Sequence, residues 1–295
     1  MRERSTPPWD DGALKQSQTN CSVSQRTESR PAARHAAESR LFMHPSRAIS
    51  RHSSCDRDID LPTATSQRVV NRLLEDLPRK DRNRILQCSA PVDLDFGAIL
   101  CEPGHDFPYA YFPLTGFISL VAKVGQHEPL EMGLIGNEGM LGATLVLGVS
   151  TAPLRGVVQG VGTALRISTP HLRRELRDSP ALCRTLNRYL YVLMAQLAQT
   201  AVCTNFHEID ARLARWLLMT HDRAHADHFY LTQKFLADML GVQRSAVTIA
   251  AGALQRRSLI RYSRGDITIL SRKALEAASC ECYAAVTADY FGLFP

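Results

Sequence analysis

Between Gly241 and Lys273 the chain carries seven Arg or Lys residues and one acid, Asp266. Arg244, Arg256, Arg257, Arg261 and Arg264 stand among Ser245, Thr248 and Gln255, whose side chains donate and accept hydrogen bonds. That combination suits a polyanion: the cations neutralise phosphates and release counterions, while the fork of Arg244 matches guanine O6 and N7. Ser245 and Thr248 are suited to bases or phosphates. The local excess weighs more than the formal net charge of +6. An ordinary solvated basic face has the same charges, so the elements that carry them must decide.

Those elements are legible in residues 231–270, LTQKFLADMLGVQRSAVTIAAGALQRRSLIRYSRGDITIL. Thr232 caps a first helix whose apolar positions are Phe235, Leu236, Met239 and Leu240, and Gly241 ends it. A second helix turns Val247, Ala250, Ala251 and Leu254 inward and leaves Arg244, Ser245, Thr248, Ile249, Gln255 and Arg256 facing out. Ile260 and Tyr262, then Ile267 and Ile269, alternate as two strands about a turn containing Arg264 and Gly265. Helix, turn, Arg-led helix and basic hairpin together predict a DNA-reading device.

The stretch LADMLGVQRSAVTIAAGALQRRSLIRYSRGDITIL resembles the winged helix of Crp/Fnr-type bacterial transcription regulators. Upstream, a Gly-punctuated region followed by a long helix resembles their sensory β-roll and dimer helix, so the likeness runs from about residue 67 to the C-terminus. It implies an α+β fold with a jelly-roll-like N-terminal β-roll, a long dimerisation helix and a C-terminal winged helix-turn-helix domain. The expected divisions are an extension at 1–66, the sensor at 67–168, connecting and dimerisation helices at 169–206, and the DNA-binding domain at 207–295. The implied function is a homodimer that reads a pseudo-palindromic operator under control of an unidentified signal at the β-roll. Ser245 stands where many members have Glu, and Ile249 where many have Arg, so a different operator is expected.

Composition agrees. With 295 residues, 45% of them hydrophobic, the chain has material for two modest cores. No run of about 18 apolar residues is present, and the N-terminus lacks a signal-peptide core, so a cytoplasmic protein without a membrane partner is expected. Eight scattered cysteines suit reduced thiols better than a disulfide scaffold. Residues 1–65 are rich in Arg, Ser, Thr, Pro and Ala without apolar periodicity and read as disordered. The internal Met43 is an alternative start.

Residues 67–86 read as a helical lead-in. Short β-rich runs follow at 98–101, 109–113, 117–124, 130–134, 154–159 and 163–167, punctuated by glycines, as in a barrel or jelly roll. In cyclic-nucleotide-binding members a turn of this region cradles the phosphate. Here Gly142 matches the glycine of that turn, but Ala143 stands where the ribose-binding Glu is expected, and Arg155 is displaced from the phosphate-binding position. With Leu145 and Leu154 these residues make an apolar candidate ligand pocket and argue against cyclic AMP. Cys21, Cys55, Cys88 and Cys101 are too widely spaced to suggest an iron–sulfur cluster. For haem, His105, His127 and Cys101 are nominal ligands without confirming spacing. No cofactor is therefore identified, and the effector is an unknown small molecule, a protein, or absent.

Thr169–Pro170 and Ser179–Pro180 each start a helix. In the second, Leu186, Leu190, Leu193 and Leu197 follow alternating spacings of four and three, the pattern of a dimer seam. A buried helix within one subunit is the competing reading. Residues 207–220 continue as a helix anchored by Trp216. His221, Asp222, His225, Asp227 and His228 read as a solvated loop rather than a metal site. Cys280 and Cys282, taken as alternate positions of a helix, read as poor joint ligands, so no metal is expected.

No P-loop, dinucleotide fingerprint, HExxH or nucleophile elbow is present, so no enzyme is expected. The partners expected are double-stranded DNA, a second copy of the chain and, as a further candidate, RNA polymerase. The alternative function is a sensory β-roll protein whose winged helix contacts protein instead of DNA.

Overall fold

The computed structural model describes residues 70–125 and 129–294. The reading of 1–66 as an extension, the alternative start at Met43, Cys21, Cys55 and His127 lie outside them.

Two short helices, α1 (Arg72–Glu75) and α2 (Arg79–Gln87), precede seven strands arranged as two antiparallel sheets. These are β1 (Ser89–Leu94), β2 (Ile99–Cys101), β3 (Tyr109–Pro113), β4 (Phe117–Ala122), β5 (Leu130–Ile135), β6 (Arg155–Gly160) and β7 (Gly162–Ser168). One sheet has the order β1-β7-β3 and the other β2-β6-β4-β5. Phe112, Ile118, Leu134, Ile135, Val158 and Ile167 are fully buried in this roll. Strand β1 is not legible in the sequence, because Pro91 and Asp93 break its apolar pattern. It is an edge strand, where proline is tolerated.

Helix α3 (Thr169–Asp178) leads to α4 (Pro180–Phe206), each with proline in its first turn as expected. Ser179 accepts a hydrogen bond from the Leu182 N–H and so caps α4. The chain breaks at His207 and resumes as α5 (Ile209–Ala224). After it come β8 (His228–Tyr230), α6 (Gln233–Leu240), α7 (Arg244–Arg256), β9 (Ile260–Ser263), β10 (Asp266–Ile269), α8 (Arg272–Ala278) and α9 (Cys282–Leu293).

The segment from His221 is not the solvated loop that its polarity suggests. His221 lies in the last turn of α5, His225 is its left-handed cap, and His228 opens a strand that pairs with β10. The guanidinium of Arg272 can only donate, so Nδ1 of His221 accepts it at 2.6 Å while Nε2 faces Asp227 at 2.7 Å. Both ring nitrogens are engaged.

The described residues lie within one compact unit. Leu213, Leu217, Leu236, Val247, Leu254, Ile260 and Ile267 form the winged-helix core. Helix α9 leaves it: Tyr290 and Phe294 join the core of the roll and α4. The C-terminal helix thus ties the two halves together.

Candidate nucleic-acid interface

The first helix of the device starts where Thr232 Oγ1 accepts the Phe235 N–H at 3.2 Å, and it ends at Gly241. On α7, Val247, Ala250, Ala251 and Leu254 are buried, while Arg244, Ser245, Thr248 and Ile249 are exposed. The small buried alanines bring α7 close to its neighbours, which pushes the polar face outward. Gln255, Arg256 and Arg257 are also exposed at the far end of the helix.

A side chain that sequence reading passed over organises this face. Gln233, the first residue of α6, accepts from Arg244 Nε at 3.4 Å through Oε1, and Thr248 Oγ1 lies 2.9 Å from the same oxygen. Two candidate reading residues are thereby held against one carbonyl. The only hint in the sequence is a polar residue beside the Thr232 cap, eleven positions from Arg244.

The wing is a hairpin with Ser263 opposite Asp266, so Arg264 and Gly265 form a two-residue turn. Both have positive φ, 53° and 94°, as a type I′ turn requires, and glycine takes the second place without a Cβ clash. Arg261 and Arg264 are exposed on it. Gln255 Oε1 accepts the Tyr262 N–H at 2.8 Å, and the Tyr262 hydroxyl donates to the Leu231 carbonyl at 2.8 Å. The wing is thereby tied to α7 through Gln255 and to the segment before α6 through Leu231. Burial pushes the Tyr262 phenol up, against the pull of the Arg244 charge, so it remains a donor.

The family model for the Crp-like helix-turn-helix domain matches residues 211–278. Residues 211–278 are thus a Crp-like helix-turn-helix domain. Solved structures of similar fold include a protein of the crp/fnr family from Eubacterium rectale, at 17% identity and TM-score 0.57, covering 70% of this chain and 96% of that one. The c-di-GMP responsive global regulator CLP of Xanthomonas campestris gives 16% and 0.56, covering 66% and 100%. A CRP/FNR-family transcriptional regulator of Thermus thermophilus gives 22% and 0.54, covering 64% and 98%. At these identities the likeness is one of fold, and it is the expected β-roll and winged-helix fold. No curated protein matches the sequence.

In the roll, the apolar residues of the turn expected to form a ligand pocket pack into the core. Gly142 has φ 95°, Ala143 and Leu145 are buried in a 3-10 helix (Ala143–Leu147), and Leu154 packs against the same core. Arg155 Nε is bound to Glu102 Oε2 at 2.9 Å. A cavity of about 670 Å³ lies elsewhere, lined by Tyr189 and Gln196 of α4, His221 and Arg223 of α5, and Tyr283 and Tyr290 of α9. Of the nominal haem ligands, the Cys101 thiol faces the Leu154 carbonyl and His105 is exposed.

The leucine seam needs correction. Leu186 and Leu193 are buried in the chain's own core, and Leu190 is half-buried against it. Between them and the end of the helix, Gln196 pairs with the β5 edge: Oε1 accepts the Leu134 N–H at 2.6 Å and Nε2 donates to the Leu134 carbonyl at 3.3 Å. Gly133 permits this approach, since a Cβ there would sit 2.8 Å from Gln196 Oε1 and 3.6 Å from Leu197. Covering an open strand edge has drawn the leucine face inward. The exposed stripe of α4 is Tyr191, Met194, Ala198 and Val202.

Cys280 and Cys282 also differ from expectation. Cys280 precedes α9 and Cys282 opens it, so the two do not alternate around a helix. Both thiols face Cys203 of α4 and His207. The expectation of poor joint ligands fails, because it assumes helical geometry where the chain turns.

Proposed function

We propose that this Crp/Fnr-type protein is a sequence-specific DNA-binding transcription regulator that acts as a homodimer. The observation that carries the reading is the surface on which Arg244, Ser245 and Thr248 stand exposed on one helix face beside the basic type I′ wing. Arg244 reads a base edge, with Ser245 and Thr248 supporting it. Arg256, Arg257, Arg261 and Arg264 neutralise phosphates, and Gln255 braces the wing.

The partner copy meets the stripe of Tyr191, Met194, Ala198 and Val202, which is apolar and uncovered within one chain. Pairing there sets the spacing of two α7 helices and hence of two operator half-sites. The effector acts through the roll, since the winged-helix core is joined to it by Glu131 on β5 and Trp216 on α5.

The test is fluorescence anisotropy of a labelled random-sequence duplex titrated with the protein at rising salt. A DNA reader gives a log affinity that falls steeply and linearly with log salt. A winged helix that contacts protein instead gives no saturable, salt-dependent binding.

A further inference from the structure

Four side chains from separate parts of the chain meet where α4 ends, α5 begins and α9 starts. Cys203 lies in the last turn of α4, His207 caps that helix, Cys280 sits in the turn before α9, and Cys282 is its first residue. One ligand atom from each lies within 4.8 Å of the other three. Cys203 Sγ is 3.5 Å from Cys280 Sγ, and Cys282 Sγ is 3.4 Å from His207 Nδ1. A tetrahedral zinc ion with Zn–S of about 2.3 Å and Zn–N of about 2.0 Å has ligand-to-ligand edges of roughly 3.5–3.8 Å. Two of the six edges, at 3.5 and 3.4 Å, are already near that spacing, and none exceeds 4.8 Å. A [4Fe–4S] cluster sets each thiolate on a different iron and a [2Fe–2S] cluster divides its four ligands between two irons, so ligands on different irons lie farther apart than one such edge.

The surroundings are those of a ligand set. The three cysteines are buried, and without a metal they share only weak thiol hydrogen bonds. His207 turns its other nitrogen, Nε2, to Glu281 Oε1 at 3.1 Å, the carboxylate–histidine arrangement that fixes a ring with Nδ1 toward a metal. Gln199 Nε2 donates to Cys282 Sγ at 3.0 Å, as a donor to a bound thiolate would. Three thiolates and one imidazole around a divalent ion carry one net negative charge, and the buried Arg212 and Arg215 of α5 offset it.

We propose that Cys203, His207, Cys280 and Cys282 bind one zinc ion. Four protein ligands close the coordination sphere, so the centre is structural. It pins the start of α9 to the junction of the long helix with the DNA-binding domain, where a change in the angle between them would be set.

The test is elemental analysis of the full chain expressed in zinc-supplemented medium and purified without chelator, together with the absorption spectrum of the cobalt-substituted protein. The expected result is about one zinc per chain and the strong visible bands of tetrahedral cobalt thiolate. His207→Cys, which makes a four-cysteine set, retains the ion, whereas the double substitution Cys280→Ser with Cys282→Ser loses it. If the double variant does not fold, wild-type metal content and the cobalt spectrum decide alone. Zinc far below one per chain, iron in its place, or a Cys203–Cys280 disulfide in the purified protein would overturn the proposal. The result is independent of DNA binding.

Discussion

Trp216 Nε1 donates to Glu131 Oε1 across 2.8 Å, joining the first helix of the winged domain to strand β5 of the roll. Ser119 donates to the other carboxylate oxygen at 2.6 Å. Despite these donors, burial dominates and pushes the Glu131 carboxyl up to about 7 from its ordinary 4.5. The folded state therefore binds this proton more tightly than the unfolded chain. Its contribution to stability is complete below about pH 4.5 and is lost as pH rises through 7.

Glu131→Gln keeps an acceptor on the same side chain but removes the titration. Urea unfolding between pH 5 and 8 should show wild-type stability falling by a few kcal/mol more than that of the variant, on the order expected for the shift. Parallel slopes for the two proteins would remove Glu131 as the titrating group.

Arg244→Ala should cost about 1–3 kcal/mol on the cognate operator and relax discrimination at one base position. Gln233→Ala, which frees Arg244 and Thr248, should weaken the same position less. Competition binding with operator variants reads both effects. Equal losses on specific and random duplexes would make Arg244 a phosphate contact.

The two faces of α4 should respond differently. Leu186→Ala opens a cavity in the subunit core and should cost about 2–5 kcal/mol in urea unfolding. Met194→Glu, on the exposed stripe, should leave the subunit folded yet shift sedimentation from dimer toward monomer. A dimer unaffected by Met194→Glu would place the seam on another surface.

Cyclic AMP should leave operator affinity unchanged. Ala143 offers no ribose acceptor, and Arg155 is bound to Glu102. Calorimetry alone and in the presence of operator checks this. Saturable binding coupled to tighter DNA binding would contradict it.

What can be read in the sequence is what neighbouring residues decide. Thr232, Ser179–Pro180 and Arg264–Gly265 act within a turn of themselves, and each forms the cap, start or hairpin expected of it. The inward face of α4 is not legible, because leucines and aromatic residues lie on both sides. The β5 edge chooses between them through Gln196. Strand β8 has three residues in a polar setting and exists because β10 offers it a partner. The cysteine–histidine cluster is hidden by distance, since Cys203 and Cys280 meet only once α9 packs back on α4. Gln233 escapes notice for the same reason.

DNA reading by a dimer is tested by selecting genomic DNA fragments with the purified protein at two salt concentrations and sequencing those retained. An enriched inverted repeat with half-sites about 10 base pairs apart, weaker at the higher salt, is expected. Retention of no common motif at either salt would contradict a dimeric reader of DNA.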